Sequence, residues 1–435
     1  MSAAGPSNYE IFSIKKPSTG QETGIEGRIL NFTYYESIYS PMITGRLVIE
    51  DTGGTIENEK GLLSTIKDGM KITGFEEVSF KIATAFGDLN FRDYPLIVTG
   101  SPATKDEPNR QTLILNLVSK TEMISSSKPL SRNYPESPIS EAVEKILTKE
   151  LKITKDKLDI EKTQNQDKIK GNHCGALDVI QKMCKKSIPA NGKDPGYFFF
   201  ETQDGFNFKS IDGLIKEGIK KFEDSLQYAY NHTYFYFGAL VANLEKDRNP
   251  NDFKVLLPPL VRRDEDQLQA LRNGLYNVRI ITKNALTGEY KEVIKNLLSG
   301  SNLGEKQEKP MQVTDDVYFK TYAFHINPGE DDPGVSTNIL NNPAEYVPQA
   351  NMRYSLLHTQ IVQIQVPCNV QLKAGQVIRL LLENITQSNK NDQIYNELRS
   401  GFYMICHLSH TFTPKNSYTS LTLLRDTREL YTSKK

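Results

Sequence analysis

Residues 401–425 read GFYMICHLSHTFTPKNSYTSLTLLR, and their alternation decides the fold class. Phe402, Met404, Cys406, Leu408, His410 and Phe412 fall on one face of an extended chain. Tyr403, Ile405, His407, Ser409 and Thr411 fall on the other. A side-chain period of two is what a strand requires. Thr413-Pro414-Lys415-Asn416 interrupts the run, because proline donates nothing to a ladder and asparagine tolerates the left-handed region. From Ser417 to Arg425 the alternation resumes, with Leu421 and Leu423 on one face and Tyr418 and Leu424 on the other. The stretch predicts an antiparallel hairpin at the closing edge of a β-domain.

The strands that precede the hairpin carry the same signal. Gln360 to Val366 alternates, and Leu372-Lys373-Ala374-Gly375-Gln376 turns into an apolar run, Val377 to Leu382. A short helix is expected from Pro348 to Leu357 and a polar loop from Glu383 to Arg399. At the other end of the chain, residues 1–8 read as a frayed terminus. Short strands are expected from Ile25 onward, at Ile29–Tyr34, Thr44–Glu50, Phe80–Phe86, Tyr94–Thr99 and Leu113–Val118, with Gly and Pro clusters between them. Glu36 to Pro41 reads as a corner.

Beyond Ser125 the period changes to that of helices. Ser137 is placed as an N-cap and Pro138 as the first helical residue, with Ile139, Ala142, Val143, Ile146 and Leu147 inward. A second helix is expected from near Asn172 to before Pro189. The aromatic run at Tyr197–Phe208 crosses Thr202-Gln203-Asp204-Gly205, a strong hairpin signal. Leu226 to Leu240 is aromatic-rich and reads as β. Asn243 to Tyr346 contains an expected helix at Asp264–Arg272, a hairpin around Asn284–Glu289 and a polar tail at Leu298–Pro310. The fold class is therefore mainly β with α+β. The expected units are a first β-barrel-like domain (8–123), an α+β domain (124–225), a discontinuous second β-barrel-like domain (226–243 and 346–428) and an inserted peripheral domain (244–345).

Composition excludes several function classes. Lys plus Arg and Asp plus Glu both total 53, so bulk electrostatics does not hold this chain on nucleic acid. Cys174, Cys184, Cys368 and Cys406 lack zinc-ribbon or CxxC spacing and read as reduced, buried residues. No run approaches a membrane span and the N-terminus lacks a signal-peptide core, so a soluble cytosolic product is expected. There is no GxSxG, HExxH, Walker loop or GxGxxG. Cys406, His407 and His410 first resemble a metal cluster. On a regular strand, however, His407 points away from the other two, and a structural role is the better reading. His173, Cys174 and Cys184 read as core for the same lack of convergence. The charge-mixed region Lys145–Lys170 reads as solvated surface and the aromatic run Tyr228–Phe237 as sheet or interface core. No catalytic, metal-ligating or cofactor-binding residue is singled out, and the chain is read as no enzyme and without cofactor.

Two stretches carry a family resemblance. Residues 25–54 read IEGRILNFTYYESIYSPMITGRLVIEDTGG. Residues 353–425 contain RYSLLHTQIVQIQVPCNVQLKAGQVIRLL and the closing hairpin. Together, over about 100 residues, they resemble the baseplate central hub proteins of T4-type contractile-tailed bacteriophages. More distantly they are similar to the N-terminal region of type VI secretion spike proteins and to phage late-control tail proteins. One position departs from the pattern. Cys368 stands where the family has glycine, and a strained or altered turn is expected there.

The resemblance implies that the two β-barrel-like domains form a tube. Three chains would make a homotrimeric ring of six such domains. That ring would join a hexameric tail tube or tube-initiator protein to a trimeric central spike protein, with baseplate wedge proteins as further partners. DNA would be only in transit through the lumen, whose wall should not be strongly basic. The implied location is the virion tail baseplate, assembled in the host bacterial cytoplasm. Because the chain ends about ten residues after the hairpin, the spike is expected to be a separate protein. The alternatives are a tail-associated cell-wall hydrolase and a spike component of a type VI secretion-like machine.

Overall fold

The computed structural model describes residues 5–426 except 55, 58–60, 193, 237–249, 265–267, 269–271, 273, 275–276, 285–286, 298–319, 327–342, 384–394 and 397–398. The chain is mainly β with an α+β portion, as its patterning predicts. In the first third of the chain the central strands are β1 (Asn8–Lys15), β2 (Ile29–Ser37), β3 (Thr44–Asp51), β4 (Glu77–Thr84), β5 (Leu96–Glu107) and β6 (Arg110–Ser119). An aromatic hairpin supplies β7 (Tyr197–Thr202) and β8 (Gly205–Ser210). Later come β9 (Thr233–Tyr236), β10 (Leu260–Asp264), β11 (Gln360–Pro367), β12 (Val377–Leu382), β13 (Gly401–Phe412) and β14 (Ser417–Arg425). The helices used below are α1 (Ile139–Lys149), α2 (Ala176–Cys184), α3 (Ile211–Asp224), α4 (Leu226–Asn231) and α5 (Pro343–Leu357).

The main sheet runs β10-β11-β14-β13-β2-β3-β6-β5-β4-β1, with Glu22–Gly24 beyond β1. The hairpin is therefore not a closing edge. β13 pairs with β14 on one side and with β2 on the other, through Phe412 opposite Phe32, His410 opposite Tyr34 and Leu408 opposite Glu36. One hydrophobic cluster spans both parts, with Phe12, Phe32, Phe80, Leu408, Phe412 and Leu421 all buried in it. Phe32 lies edge-on to Phe80 at 4.9 Å between ring centroids and stacks on Phe412 at 6.0 Å.

Several expectations change at element level. The terminus is ordered by Asn8: β1 pairs with β4 and buries Phe12 and Ile14 completely. The N-cap of α1 is Pro138, not Ser137, and Thr163 Oγ1 accepts the Ser140 N–H at 3.0 Å. α2 starts at Ala176 because Asn172 and His173 hold positive φ in the preceding turn. Leu226–Asn231 is helical, not β, because Ser225 caps it by accepting the Tyr228 N–H. The chain then turns into β9, which pairs in parallel with β12; the rest of that expected β run falls outside the described residues. The helix before β11 is longer than expected, starting at Pro343.

The hairpin around Asn284–Glu289 is present between Asn277–Asn284 and Tyr290–Asn296. Asp264 ends β10, and most of the helix expected to follow it, the tail at 298–310 and most of the 383–399 loop lie outside the described residues. No helix among the described residues is long and apolar enough to cross a membrane.

The alternation in β13 does not persist along its length. A β-bulge lies between Ile405 and His407 in the pairing with β14. An extra residue reverses which side chains face which way. Tyr403 and Ile405 before the bulge join Leu408 and Phe412 after it in the main core. Met404 and Cys406 turn instead to a second cluster with Ile38, Phe198, Phe200, Leu214 and Leu424. Met404 and Cys406, expected on one face with Leu408 and Phe412, thus enter a different core from them, and β13 fastens the α+β portion to the sheet.

Candidate functional site

The two stretches that carry the resemblance meet the aromatic hairpin at one buried junction. Phe32, Tyr34 and Glu36 occupy successive core-facing positions of β2, so a carboxylate sits where the pattern calls for an apolar side chain. Glu36 is 2% exposed. It accepts the Tyr34 hydroxyl at 2.7 Å, the Gln203 N–H at 2.9 Å and the Ala374 N–H at 2.9 Å. One carboxylate thereby ties β2 to the β7–β8 turn and to the turn before β12. Burial pushes its pKa up to about 7, and the three donors, led by the Ala374 N–H, hold it from rising further. Nearby, buried Glu201 on β7 accepts the Ile43 N–H at 3.0 Å. Its pKa is likewise pushed to about 7 by burial, with the charge of Glu36 adding to the effect.

The turn before β12 is fixed from β13 as well. The Gly375 N–H donates to Ile405 O and the Ile405 N–H to Gln376 O, both at 2.8 Å. Gly375 has φ +81, and a Cβ there would meet Phe200 Cζ at 2.7 Å, so glycine is required on both counts. Cys368 is fully buried and is not among the positive-φ residues, so the strained turn expected there is absent. A second buried group closes the far end. Arg353 of α5, 1% exposed, donates to Asp212 at 2.6 Å and to Asp426 at 2.8 Å, joining α5, the first turn of α3 and the end of β14.

The sequence-selected histidines and cysteines do not assemble. His410 is buried and stacks on Tyr34, its Nδ1 2.8 Å from Thr419 Oγ1, and burial lowers its pKa to about 3. Thr419 Oγ1 in turn accepts the Asn369 N–H. Cys406 lies in the other core, and His407 is exposed beside Tyr39. The bulge, not simple alternation, separates Cys406 from His410. Cys184 is buried on α2, and Cys174 lies near Lys182 Nζ. No group of three or more His, Cys, Asp or Glu placed to hold a metal ion occurs among the described residues. Tyr234 and Phe235 of the aromatic run belong to the main core, and Tyr228 stacks on His232. Acids of the Lys145–Lys170 region pair with surface lysines, as Asp167 does with Lys186.

The opposite face of the central strands is uniform in chemistry. Register places Gln365, Ser420, Ser409, Tyr35 and Thr44 side by side across β11, β14, β13, β2 and β3. The next row holds Gln363, Thr422, His407 and Ser37, and another holds Tyr418, Thr411, Thr33 and Arg46. Amides and hydroxyls dominate, and Arg46 is the one formal charge in these rows.

The sequence matches no family model and no curated protein. Solved structures do share the fold. The tail protein from Neisseria meningitidis MC58 aligns over 96% of this chain and 96% of its own, with a TM-score of 0.52 and 9% identity. The 43 kDa tail protein of prophage MuSo2 from Shewanella oneidensis aligns over 96% of this chain and 99% of its own, with a TM-score of 0.51 and 9% identity. At this identity the likeness is one of fold.

Proposed function

We propose that this chain is a structural component of a phage-type tail baseplate. It acts as a trimeric central hub that adapts a hexameric tail tube to a trimeric spike and forms the channel for DNA ejection. In this reading, residues 8–123 and residues 226–243 with 346–428 are the two tube-forming domains of each chain. Residues 124–225 brace them, and residues 244–345 face outward toward wedge proteins. The hub is a virion component assembled in the host bacterial cytoplasm, with DNA only in transit and no chemistry of its own.

The observation that carries the reading is the neutral polar face of β11, β14, β13, β2 and β3. DNA carries one charge per roughly 1.7 Å of axis, so a Lys/Arg wall would hold it and an acidic wall would oppose its entry. Amides and hydroxyls keep the wall wet without doing either. The fold shared with two tail proteins along nearly the whole length of both supports the same reading. A density map of the assembled tail tip tests it. Three copies should surround the axis with Tyr35, Thr44, Ser409 and Ser420 on the channel. A single copy, or these residues turned away from the axis, rejects it.

A further inference from the structure

α5 turns an apolar side toward its neighbours, with Ala350, Met352, Leu356 and Leu357 all buried. Asn351, Tyr354 and Ser355, with His358 just beyond the helix end, recur at helical spacing and share another side. That side lines a recess of about 560 Å³, within the size range of binding pockets. The other walls include Tyr39 from the corner after β2, Lys185 just past α2, Phe198 on β7, Arg263 on β10, and Lys320, which opens the strand Lys320–Ile326. None of these residues belongs to the rows of the polar face.

The walls are held in place. Tyr39 and Tyr354 each lie edge-on to Phe198, at 5.3 Å between ring centroids. The Tyr354 hydroxyl donates to Tyr197 O. His358 Nδ1 donates to Tyr354 O at 2.8 Å, which leaves Nε2 of the neutral ring to accept the Tyr39 hydroxyl at 2.8 Å. The His358 N–H donates to Ser355 O and the Thr359 N–H to Leu356 O. Those last carbonyls of α5 are therefore occupied, and the helix end sets less bare negative charge against an anion.

Charge singles this recess out. Lys185, Arg263 and Lys320 line it, and its described lining holds no Asp or Glu. The chain as a whole balances 53 basic against 53 acidic residues, so the excess is local. Beside the β7–β8 turn, by contrast, Lys209 pairs with both Asp159 and Glu217. No ion pair joins Lys185 or Arg263 to another described residue. A recess walled by one sign of charge concentrates the opposite sign. We infer that it receives a carboxylate-bearing linear segment of a partner protein. Aspartate or glutamate side chains meet Arg263 and Lys185, and an apolar neighbour packs on the ring of Tyr39, which is 40% exposed. The volume admits a few side chains and no nucleic-acid duplex. This inference does not rest on the hub reading.

Fluorescence anisotropy tests it with a fluorescein-labelled peptide that alternates aspartate with phenylalanine, and with a second peptide in which serine replaces aspartate. The wild-type chain should bind the acidic peptide and not the neutral one, and added salt should weaken the binding. Arg263→Gln and Lys185→Gln should each weaken it about threefold to tenfold, and the double variant further. Circular dichroism should show both folded, since neither side chain forms an ion pair within the described chain. Lys415→Gln, which removes an exposed charge elsewhere, should change nothing. No binding of the acidic peptide, equal binding of the neutral one, or affinity unchanged in the double variant overturns the inference. Displacement of the peptide by a thymidine oligonucleotide or by inorganic phosphate at matched concentration overturns it too, and assigns the recess to nucleic-acid phosphates or to small anions. Each of these outcomes leaves the hub reading standing.

Discussion

Glu36 shows how one side chain can organise a junction of three elements. Its pKa of about 7 in the folded chain lies above the ordinary carboxyl value, and Glu201 behaves alike. A carboxyl whose folded pKa is raised binds its proton more tightly when folded. Its contribution to stability is complete below the unfolded pKa and is lost as pH rises through about 7. His410 and His232, lowered to about 3 and about 4 by burial, act oppositely: their contribution is lost as pH falls below the ordinary imidazole value. The total pH profile mixes these slopes, and the difference between wild type and Glu36→Gln isolates the first. That variant sets an NH₂ against the Ala374 N–H or another donor and should cost about 1–3 kcal/mol near pH 5. The cost should shrink toward pH 8. Urea denaturation across that range checks both, and a difference that grows with pH rejects the assignment. The sequence made Glu36 visible as part of Glu36-Ser37-Ile38-Tyr39 but not its role. An acid in phase with Phe32 and Tyr34 was the available signal.

Among the elements, β13 departs most from its sequence reading. Period-two alternation is blind to one extra residue, and the bulge at Cys406 reassigns half the strand. Deleting Cys406 should turn either Tyr403 and Ile405 or Leu408 and Phe412 out of the core and abolish folding. Cys406→Ala, which keeps the residue count, should fold with a loss of about 1 kcal/mol. Soluble, cooperative unfolding of the deletion variant would show that the bulge is dispensable. The Arg353 link is likewise silent in the sequence, because burial of an arginine depends on partners distant in the chain. Arg353→Met leaves Asp212 and Asp426 without their guanidinium and should cost about 3–5 kcal/mol. Adding Asp212→Asn and Asp426→Leu should restore part of that loss, and thermal denaturation of the single and triple variants measures it. The strands and the aromatic hairpin were legible because period and turn chemistry are local. The helix at Leu226–Asn231 was missed because its aromatic residues favour strands, whereas the Ser225 cap and packing decide otherwise.

For the whole molecule, the mainly β class and its α+β portion followed from patterning. The continuity of the sheet through β13 and β2 did not, since pairing partners so far apart leave no local trace. The neutral polar face was equally hidden until register aligned its rows. If that face lines a channel, Thr44→Lys, Ser409→Lys and Ser420→Lys together should leave assembly intact but slow DNA ejection, with relief at higher salt. Ejection kinetics of phage carrying the triple variant supply the measurement. Wild-type rates at low salt would argue against the channel.

The pairing of Ser37 with His407 also sets an order of events in the cell. The outer edge of β2 receives its partner only after some 370 further residues have left the ribosome, which takes roughly 20–70 s at ordinary elongation rates. Until then β2 presents an unpaired strand edge, and the aromatic core that Phe32 shares with Phe412 is incomplete. Such non-local pairing makes folding slow and late. Nascent chains stalled before Gly401 should therefore be protease-sensitive and prone to aggregate, and chains extended through β13 and β14 and clear of the ribosome should convert to the compact form.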